Sequence, residues 1–230
     1  MSSDIYSTLF KQQATVGKLV LDGKRDPEEV SHVLQAIIAG KRLVEAKPTT
    51  EELLADWANF YKEVFGLELD FSGITIPDRK PGFDRLLVIA QGMTPQRLFD
   101  KCKELFPSWK YTDKNLDEII KSDRASQSGH YAIWVRDRVE ADEENKNLSA
   151  DDLKKRNSAE ITFEERMLYE LKFFKETGKH LDIKNWTLCA GSRDSDGNVP
   201  HADWDGVKFE VFWHYVRYHY VYLRSRSVVF

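Results

Sequence analysis

The amino-acid sequence predicts an α+β fold, with a helical N-terminal layer packed on a largely antiparallel sheet built from the C-terminal strands. Apolar residues recur at helical spacing through residues 1–66, whereas period-two alternation dominates residues 207–230. Between them, strand and helix patterns follow one another without a regular strand–helix repeat. This order of elements favours α+β over a parallel α/β fold.

The helical N-terminal layer is predicted from helix start and stop signals. Asp26 and Pro27 form a cap followed by a proline at the first helical position, and Thr49 or Thr50 opens a second helix that Gly66 ends. A further helix is expected in the first twenty residues. Glycine and proline are concentrated in residues 67–84, so we expect a helical segment at 1–66 and an α+β domain at 67–230, or one continuous domain.

The middle of the chain contains two apolar runs that predict buried strands, residues 85–90 and the YAIWV run at 131–135. Thr94 followed by Pro95 predicts a helix between them. Two capping boxes predict further helices, Ser149 with Asp152 and Thr162 with Glu165. Residues 140–152 hold six acids and one base, which is typical of a solvated, mobile loop.

The alternation in residues 207–216 and 218–228 predicts two adjacent antiparallel strands joined near Arg217. On an extended chain the aromatic and basic residues of the second strand share one face. They are Tyr218, Tyr220, Tyr222, Arg224 and Arg226.

This Tyr/Arg face is the leading candidate ligand-binding surface. Stacked rings and arginines are what single-stranded nucleic-acid binders use, and another extended ligand would suit the same face. The alternative is that the tyrosines pack beneath the N-terminal helices. Arg136 and Arg138 follow the YAIWV strand and are included as candidate phosphate ligands, with a salt-bridged strand end as the alternative.

The overall composition limits the classes of protein. The chain has 230 residues with 41% apolar and 31% charged residues, an ordinary globular balance, and a net charge of −4 that argues against a strongly basic nucleic-acid binder. Two cysteines cannot form a disulfide scaffold, and no apolar run approaches the ~18 residues that span a bilayer. We expect a soluble, cytoplasmic protein without a signal segment or a membrane partner.

Residues 180–205 contain two His-x-Asp pairs, His180 with Asp182 and His201 with Asp203. Side chains two apart on a strand point the same way, so the four groups could converge on a divalent metal, as in metal-dependent hydrolases. Short polar turns offer an alternative explanation. The same stretch parallels a calcium loop, but Asp196-Gly197 is more simply a hairpin turn.

Cys189 lies near these histidines in sequence, which raises the hypothesis of a thiol nucleophile. A small buried cysteine in an apolar strand explains it better. No cofactor is expected apart from a divalent metal at the His/Asp pairs, and no catalytic residue is assigned.

Three stretches, YAIWVRDRVEADEENKNLS (131–149), TGKHLDIKNWTLCAGSR (177–193) and DGNVPHADW (196–204), resemble an uncharacterised family of bacterial hypothetical proteins. The resemblance is strongest over about the last 100 residues, and WANFYKEVFGLELD (57–70) shows a weaker similarity. It implies a bacterial, cytoplasmic origin. The family has no assigned reaction, so the resemblance transfers no catalytic role.

Three functions are compatible with the sequence. The leading specific one is a non-catalytic binding module that uses the Tyr/Arg face, with single-stranded nucleic acid or a protein as partner. The second is a metal-dependent hydrolase centred on His180, Asp182, His201 and Asp203. The third is a structural or protein-interaction protein without chemistry.

Overall fold

The computed structural model describes residues 3–40 and 48–230. The chain forms two compact units, Met1–Pro48 and Thr49–Phe230. Within the described residues the α-helices are α1 (Ser3–Leu21), α2 (Pro27–Ile38), α3 (Thr50–Phe65), α4 (Pro95–Leu105), α5 (Leu116–Ile119), α6 (Ala150–Lys155) and α7 (Phe163–Thr177). The strands are β1 (Arg85–Ile89), β2 (Ser108–Lys110), β3 (Lys121–Ser122), β4 (Tyr131–Val135), β5 (Trp186–Leu188), β6 (Ser192–Arg193), β7 (Val199–Trp204), β8 (Phe209–His214) and β9 (Leu223–Arg224).

Helix α3 belongs to the second unit, so the division falls earlier than the predicted boundary at residues 66 and 67. The indole of Trp57 donates a hydrogen bond to the carbonyl of Leu86, and the hydroxyl of Tyr61 donates to that of Val88. Both acceptors lie on β1. The aromatic face of α3 is therefore part of the core of the α+β unit.

The helix starts are the most accurate sequence predictions. Thr49, Ser149 and Thr162 each form a complete capping box, in which the side chain and the third helical residue exchange hydrogen bonds. Gly66 and Gly178 end α3 and α7 in the left-handed conformation. The predicted strands at 85–90 and 131–135 form β1 and β4, which pair antiparallel.

The largest sheet has the strand order β2-β8-β7-β5-β9. Its inner pairs, β7 with β8 and β7 with β5, are antiparallel, whereas β2 pairs with β8 and β9 with β5 in parallel. The α+β class is confirmed, but the prediction of a largely antiparallel sheet is wrong. Both outermost pairs join strands that are distant in sequence, and a local sequence pattern cannot predict such pairing.

The two faces of this sheet have different coverings. One face, here called the inner face, carries Ala202, Phe209 and Val211 into the main core together with residues of α4 and α7. On the opposite, outer face, α6 contributes to a smaller apolar cluster. That cluster consists of Ala150, Leu153, Leu188, Ala190, Val199 and Leu223. The rest of the outer face holds polar and aromatic side chains.

The predicted strand at 218–228 is not formed as one element. Residues 215–222 make two turns, in which the amide of Tyr218 donates to Tyr215 and that of Leu223 donates to Tyr220. The chain then pairs in parallel with β5, not with β8. Alternating tyrosines are compatible with successive turns as well as with a strand. The alternation at 218–222 therefore predicted a strand where the chain forms turns.

In the described residues of the first unit, the chain forms α1 and α2, and no residue of α2 is buried. Within the part of the chain that the structure describes, no helix combines the length and the apolar character needed to cross a membrane.

Candidate functional site

A cavity of about 510 Å³ opens on the outer face of the large sheet, and we call it the outer pocket. Strands β5, β7 and β8 contribute its aromatic and polar lining. Its lining residues are Asp182, Ile183, Lys184, Asn185, Trp186, His201, Asp203, Trp204, Asp205, Glu210, Phe212, Trp213, His214, Tyr220 and Tyr222.

Strand register brings the central lining residues together. His201 pairs with Phe212 and Asp203 pairs with Glu210 across β7 and β8. Because side chains alternate between the faces of a strand, these four point to the outer face while Ala202 and Val211 point to the core. The predicted period-two face of β8 is confirmed.

The aromatic side chains form a ladder across the strands. Phe212 stacks on Tyr111 with ring centroids 5.8 Å apart and on His201 at 5.4 Å, and His201 in turn stacks on Trp186 at 5.2 Å. Tyr220 continues the stack from Trp186 at 4.9 Å. These spacings follow the distance between neighbouring strands. Rings covered on both faces, such as Phe212 and His201, present only their edges to the pocket.

Two histidines at the pocket are held neutral by burial. Desolvation lowers the pKa of His201 to about 3 and that of His214 to about 4. The Nδ1 atom of His201 and the Nε2 atom of His214 are buried and have no hydrogen-bond partner among the described residues. Buried polar atoms normally have a partner, so these two mark places where water or a ligand belongs.

Asp203 is the carboxyl group with the most unusual surroundings. It is 5% exposed, and its Oδ1 lies 3.5 Å from Nε2 of His201. Burial, with a contribution from the charge of Asp182, raises the pKa of Asp203 to about 7. Directly across the strand pair stands Glu210, a second acid, and like charges at such positions destabilise a sheet.

The other acids of the pocket already have cationic partners. Lys208 forms ion pairs with both Asp205 and Glu210. Asp182 accepts hydrogen bonds from Nε of Arg166 at 2.8 Å and from Nη2 of Arg226 at 2.7 Å, besides the amide of Ala141 and the hydroxyl of Thr187.

The four predicted metal ligands do not gather at one point. His201 and Asp203 lie together, but Asp182 is occupied by two arginines, and His180 bonds to Glu170 at 2.8 Å and stacks on Trp204. In the described part of the chain, no group of three or more His, Cys, Asp or Glu side chains is arranged to hold a metal ion.

The tyrosines and arginines of the predicted Tyr/Arg face separate in the structure. Tyr218, Tyr220 and Tyr222 are 36–49% exposed. Arg224 and Arg226, in contrast, are buried, at 5% and 1% exposure, because Arg224 binds Glu143 and Arg226 binds Asp182. The tyrosines and arginines therefore do not form one exposed face.

The acidic run at 140–152 is folded, contrary to the prediction of a mobile loop. It pairs with the arginines that follow β4: Arg136 binds Asp142, and Arg138 binds both oxygens of Glu144, at 2.7 and 3.1 Å. Asp142 is buried. These arginines form the salt-bridged strand end that was the alternative to a phosphate site.

The remaining candidates have structural roles. Cys189 is buried, and burial raises the pKa of its thiol, so the reactive thiolate is disfavoured. The predicted turn at Asp196-Gly197 is confirmed: Asp194 accepts hydrogen bonds from the amides of Asp196 and Asn198, and Gly197 has a φ of +84°.

Sequence reasoning missed Glu210, Phe212, His214 and Trp186 as members of the site. Their signal was present, since the outer face of β8 reads Glu-Phe-His with period two. Only the register with β7 shows that this face lies beside His201 and Asp203.

A second hollow, of about 940 Å³, lies near Arg124, His130 and Tyr131. Its polar groups are already paired, because Arg124 and Tyr131 both bind Glu165 and His130 accepts from the amide of Gln91. Among the described residues, none that lines this hollow has a buried polar side-chain atom without a partner. The outer pocket is therefore the stronger candidate.

Comparison of the chain with protein-family models, with curated proteins and with solved structures finds no match in any of the three.

Proposed function

We propose that the protein is a binding module for a small, flat organic ligand and that the outer pocket is its site. The observation that carries this proposal is a pocket of ligand size whose lining residues include His201 and His214, each with a buried ring nitrogen that has no partner among the described residues. Pockets of 300–1,000 Å³ with apolar walls and a few convergent polar groups are typical small-molecule sites.

The ring ladder favours a flat ligand. Ring edges carry partial positive charge and ring faces partial negative charge, so edge-to-face contacts are favourable. A planar ligand can place its face against the edges of Phe212 and Trp186, which are partly exposed on either side of the buried His201 ring.

A nucleic-acid strand has less support at this site than a small ligand. Arg224 and Arg226 are ion-paired inside the protein and do not face a phosphate backbone. The lining of the pocket holds one basic residue, Lys184, against four acids, Asp182, Asp203, Asp205 and Glu210, and offers no cluster of cations for a phosphate backbone.

The proposal is tested by ligand-observed NMR with two probes that carry a flat ring system, tyrosol and adenosine. Ile183 lies exposed on the pocket lining, so Ile183→Trp should obstruct the pocket. Val207→Trp, at an exposed position outside the lining, is the matched control. We expect at least one probe to bind the unmodified protein and Val207→Trp while its signal is lost with Ile183→Trp.

The proposal fails if neither these probes nor tyramine, the charged analogue of tyrosol, shows that pattern. It also fails if ten-residue oligothymidylate binds more tightly than every probe and Ile183→Trp leaves that binding unchanged. The latter result would return the Tyr218–Tyr222 surface to the role of a nucleic-acid site.

A further inference from the structure

Asp203 is a buried carboxyl group without a neutralising partner. No described residue donates a hydrogen bond to it, and no Lys or Arg nitrogen of the described residues lies within 4.0 Å. His201, whose Nε2 lies 3.5 Å from Oδ1 of Asp203, is a neutral imidazole and supplies no positive charge. An ionised carboxylate in such a place lacks the pairing that buried charges ordinarily have.

The position of Asp203 in the sheet adds to this cost. Glu210 stands directly opposite on β8, so two acids face each other across the strand pair. Glu210 has Lys208 as its cation, but Lys208 also binds Asp205. Of the three neighbouring acids, Asp205 and Glu210 share Lys208 as their cation, and Asp203 has no ion pair with a lysine or arginine of the described residues.

The polar atoms around Asp203 point to a missing occupant. His201 is 3% exposed, lines the pocket and leaves Nδ1 unpartnered. An acid cluster alone would not indicate a ligand. The imidazole whose Nε2 lies 3.5 Å from Asp203 also carries a second, buried ring nitrogen without a partner, which is an independent sign that the surroundings are incomplete.

We propose that the ligand of the outer pocket is an organic cation, a flat ring bearing an ammonium or guanidinium group, and that Asp203 is its counter-ion. The inference rests on the proposed function and names the ligand class. The ring lies against the aromatic edges, while the cation lies beside Asp203 and supplies the positive charge that Asp203 lacks.

A cationic ligand would offset the cost of burying the carboxylate of Asp203. Burial of a carboxylate is tolerated where a charged hydrogen-bond donor completes it, and such charge-assisted hydrogen bonds are among the stronger ones in proteins. Asp182 illustrates the principle in the same chain, since Arg166 and Arg226 complete it. At Asp203 the equivalent donor would come from the ligand.

The test compares tyramine with tyrosol, which differ only in an ammonium group and a hydroxyl group. Their dissociation constants are measured by isothermal titration calorimetry at pH 8, where tyramine is protonated. We expect tyramine to bind about 10- to 100-fold more tightly, the range for a charge-assisted hydrogen bond in a desolvated site.

Two isosteric variants locate the effect. Asp203→Asn should reduce the preference for tyramine to less than about threefold, while tyrosol binding is retained. Asp205→Asn removes the same charge from a lining residue that already has Lys208, and it should keep the preference at about tenfold or more.

The outcomes separate the two proposals. If tyrosol binds in a manner blocked by Ile183→Trp but tyramine is no tighter, the cation inference is wrong and the pocket proposal stands. If Ca²⁺, Mg²⁺ or Zn²⁺ displaces tyramine at lower concentration than tyramine itself binds, the site is for a metal cation and the inference is also wrong. If neither tyramine nor any of the flat probes binds, the proposed function itself fails.

Discussion

Two carboxyl groups lie near each other in this protein and have opposite surroundings. Asp182 receives donors from Arg166, Arg226, Thr187 and the backbone, so its carboxyl oxygens are fully hydrogen-bonded. Asp203 receives none from the described residues. The contrast between a saturated acid and an unsaturated one is the main chemical feature of the site.

The surroundings of Asp203 predict a pH effect on stability. Its pKa rises from an ordinary 3.8 to about 7 on folding, so the folded state holds a proton that the unfolded state releases between about pH 4 and pH 7. This contribution to the free energy of unfolding is present below pH 4 and is lost as the pH rises to 7. We expect Asp203→Asn to be more stable than the unmodified protein at pH 8 by up to about 4 kcal/mol.

Urea denaturation of both proteins from pH 4 to pH 8 measures this effect. The difference between them isolates Asp203 from His201 and His214, whose lowered pKa values destabilise the fold in acid and act in the opposite direction. A difference that stays constant with pH would contradict the prediction. Charged groups that surround Asp203 and set the background are Asp182, Arg166, Asp205, Lys208 and Glu210.

At the level of single residues, the sequence predicted the pair His201 and Asp203 but not the partners of Asp182. The spacing of His201 and Asp203 correctly placed both on one face of a strand, because that depends only on strand periodicity. The partners of Asp182 could not be predicted, since Arg166, on α7, and Arg226, near the C-terminus, reach it from distant parts of the chain.

At the scale of elements, the backbone packs closely where the connection between β5 and β6, at Gly191, meets the residues that precede α7. Gly191 donates its amide hydrogen to the carbonyl of Ile161 at 3.0 Å and accepts from the amide of Asp123 at 2.8 Å. A Cβ atom at this position would lie 2.6 Å from the carbonyl oxygen of Glu160 and 3.1 Å from that of Ile161. Both neighbours are backbone atoms and cannot rotate away.

We therefore expect Gly191→Ala to lower the free energy of unfolding by about 1–3 kcal/mol, the usual cost of overpacking. The matched control is Gly73→Ala, where the added Cβ meets nothing within 4 Å. That substitution should change stability by less than about 1 kcal/mol. Equal stability of the two variants in urea denaturation would show that the junction relaxes.

Helix ends were predictable and strand partners were not, for one physical reason. A cap such as Thr162 with Glu165 acts within four residues, so the sequence contains the whole interaction. The pairing of β2 with β8 joins residues about 100 apart, and the pairing of β9 with β5 joins residues about 37 apart. Local alternation at 215–222 could not reveal that the chain turns there.

The whole molecule divides unequally, because both apolar cores consist of residues from the second unit. No residue of α2 is buried, and exposed apolar side chains of α1 include Ile5, Tyr6 and Phe10. We expect a fragment of residues 49–230 to unfold cooperatively, with a midpoint within about 4 °C of the full chain, which for this size corresponds to about 1 kcal/mol or less.

Differential scanning calorimetry of the fragment and the full chain makes the comparison. Loss of cooperativity in the fragment, or a midpoint lower by about 10 °C or more, would show that residues 1–48 support the core. The sequence had assigned α3 to the N-terminal segment, and a fragment of residues 67–230 provides the contrast. It lacks Trp57, Phe60 and Tyr61 and should not fold.

The order of strands in the large sheet bears on self-association. In the described residues both outermost strands are short, with three residues in β2 and two in β9. The inner strand β5 also has three residues, whereas the inner strands β7 and β8 have six each. An exposed strand edge is a template on which a second chain adds and fibrils grow, and short edges offer little of it. Strand β8, which carries Phe209, Phe212 and Trp213, has β7 along one side and β2 along the first half of the other, which limits the edge on which a second chain could add.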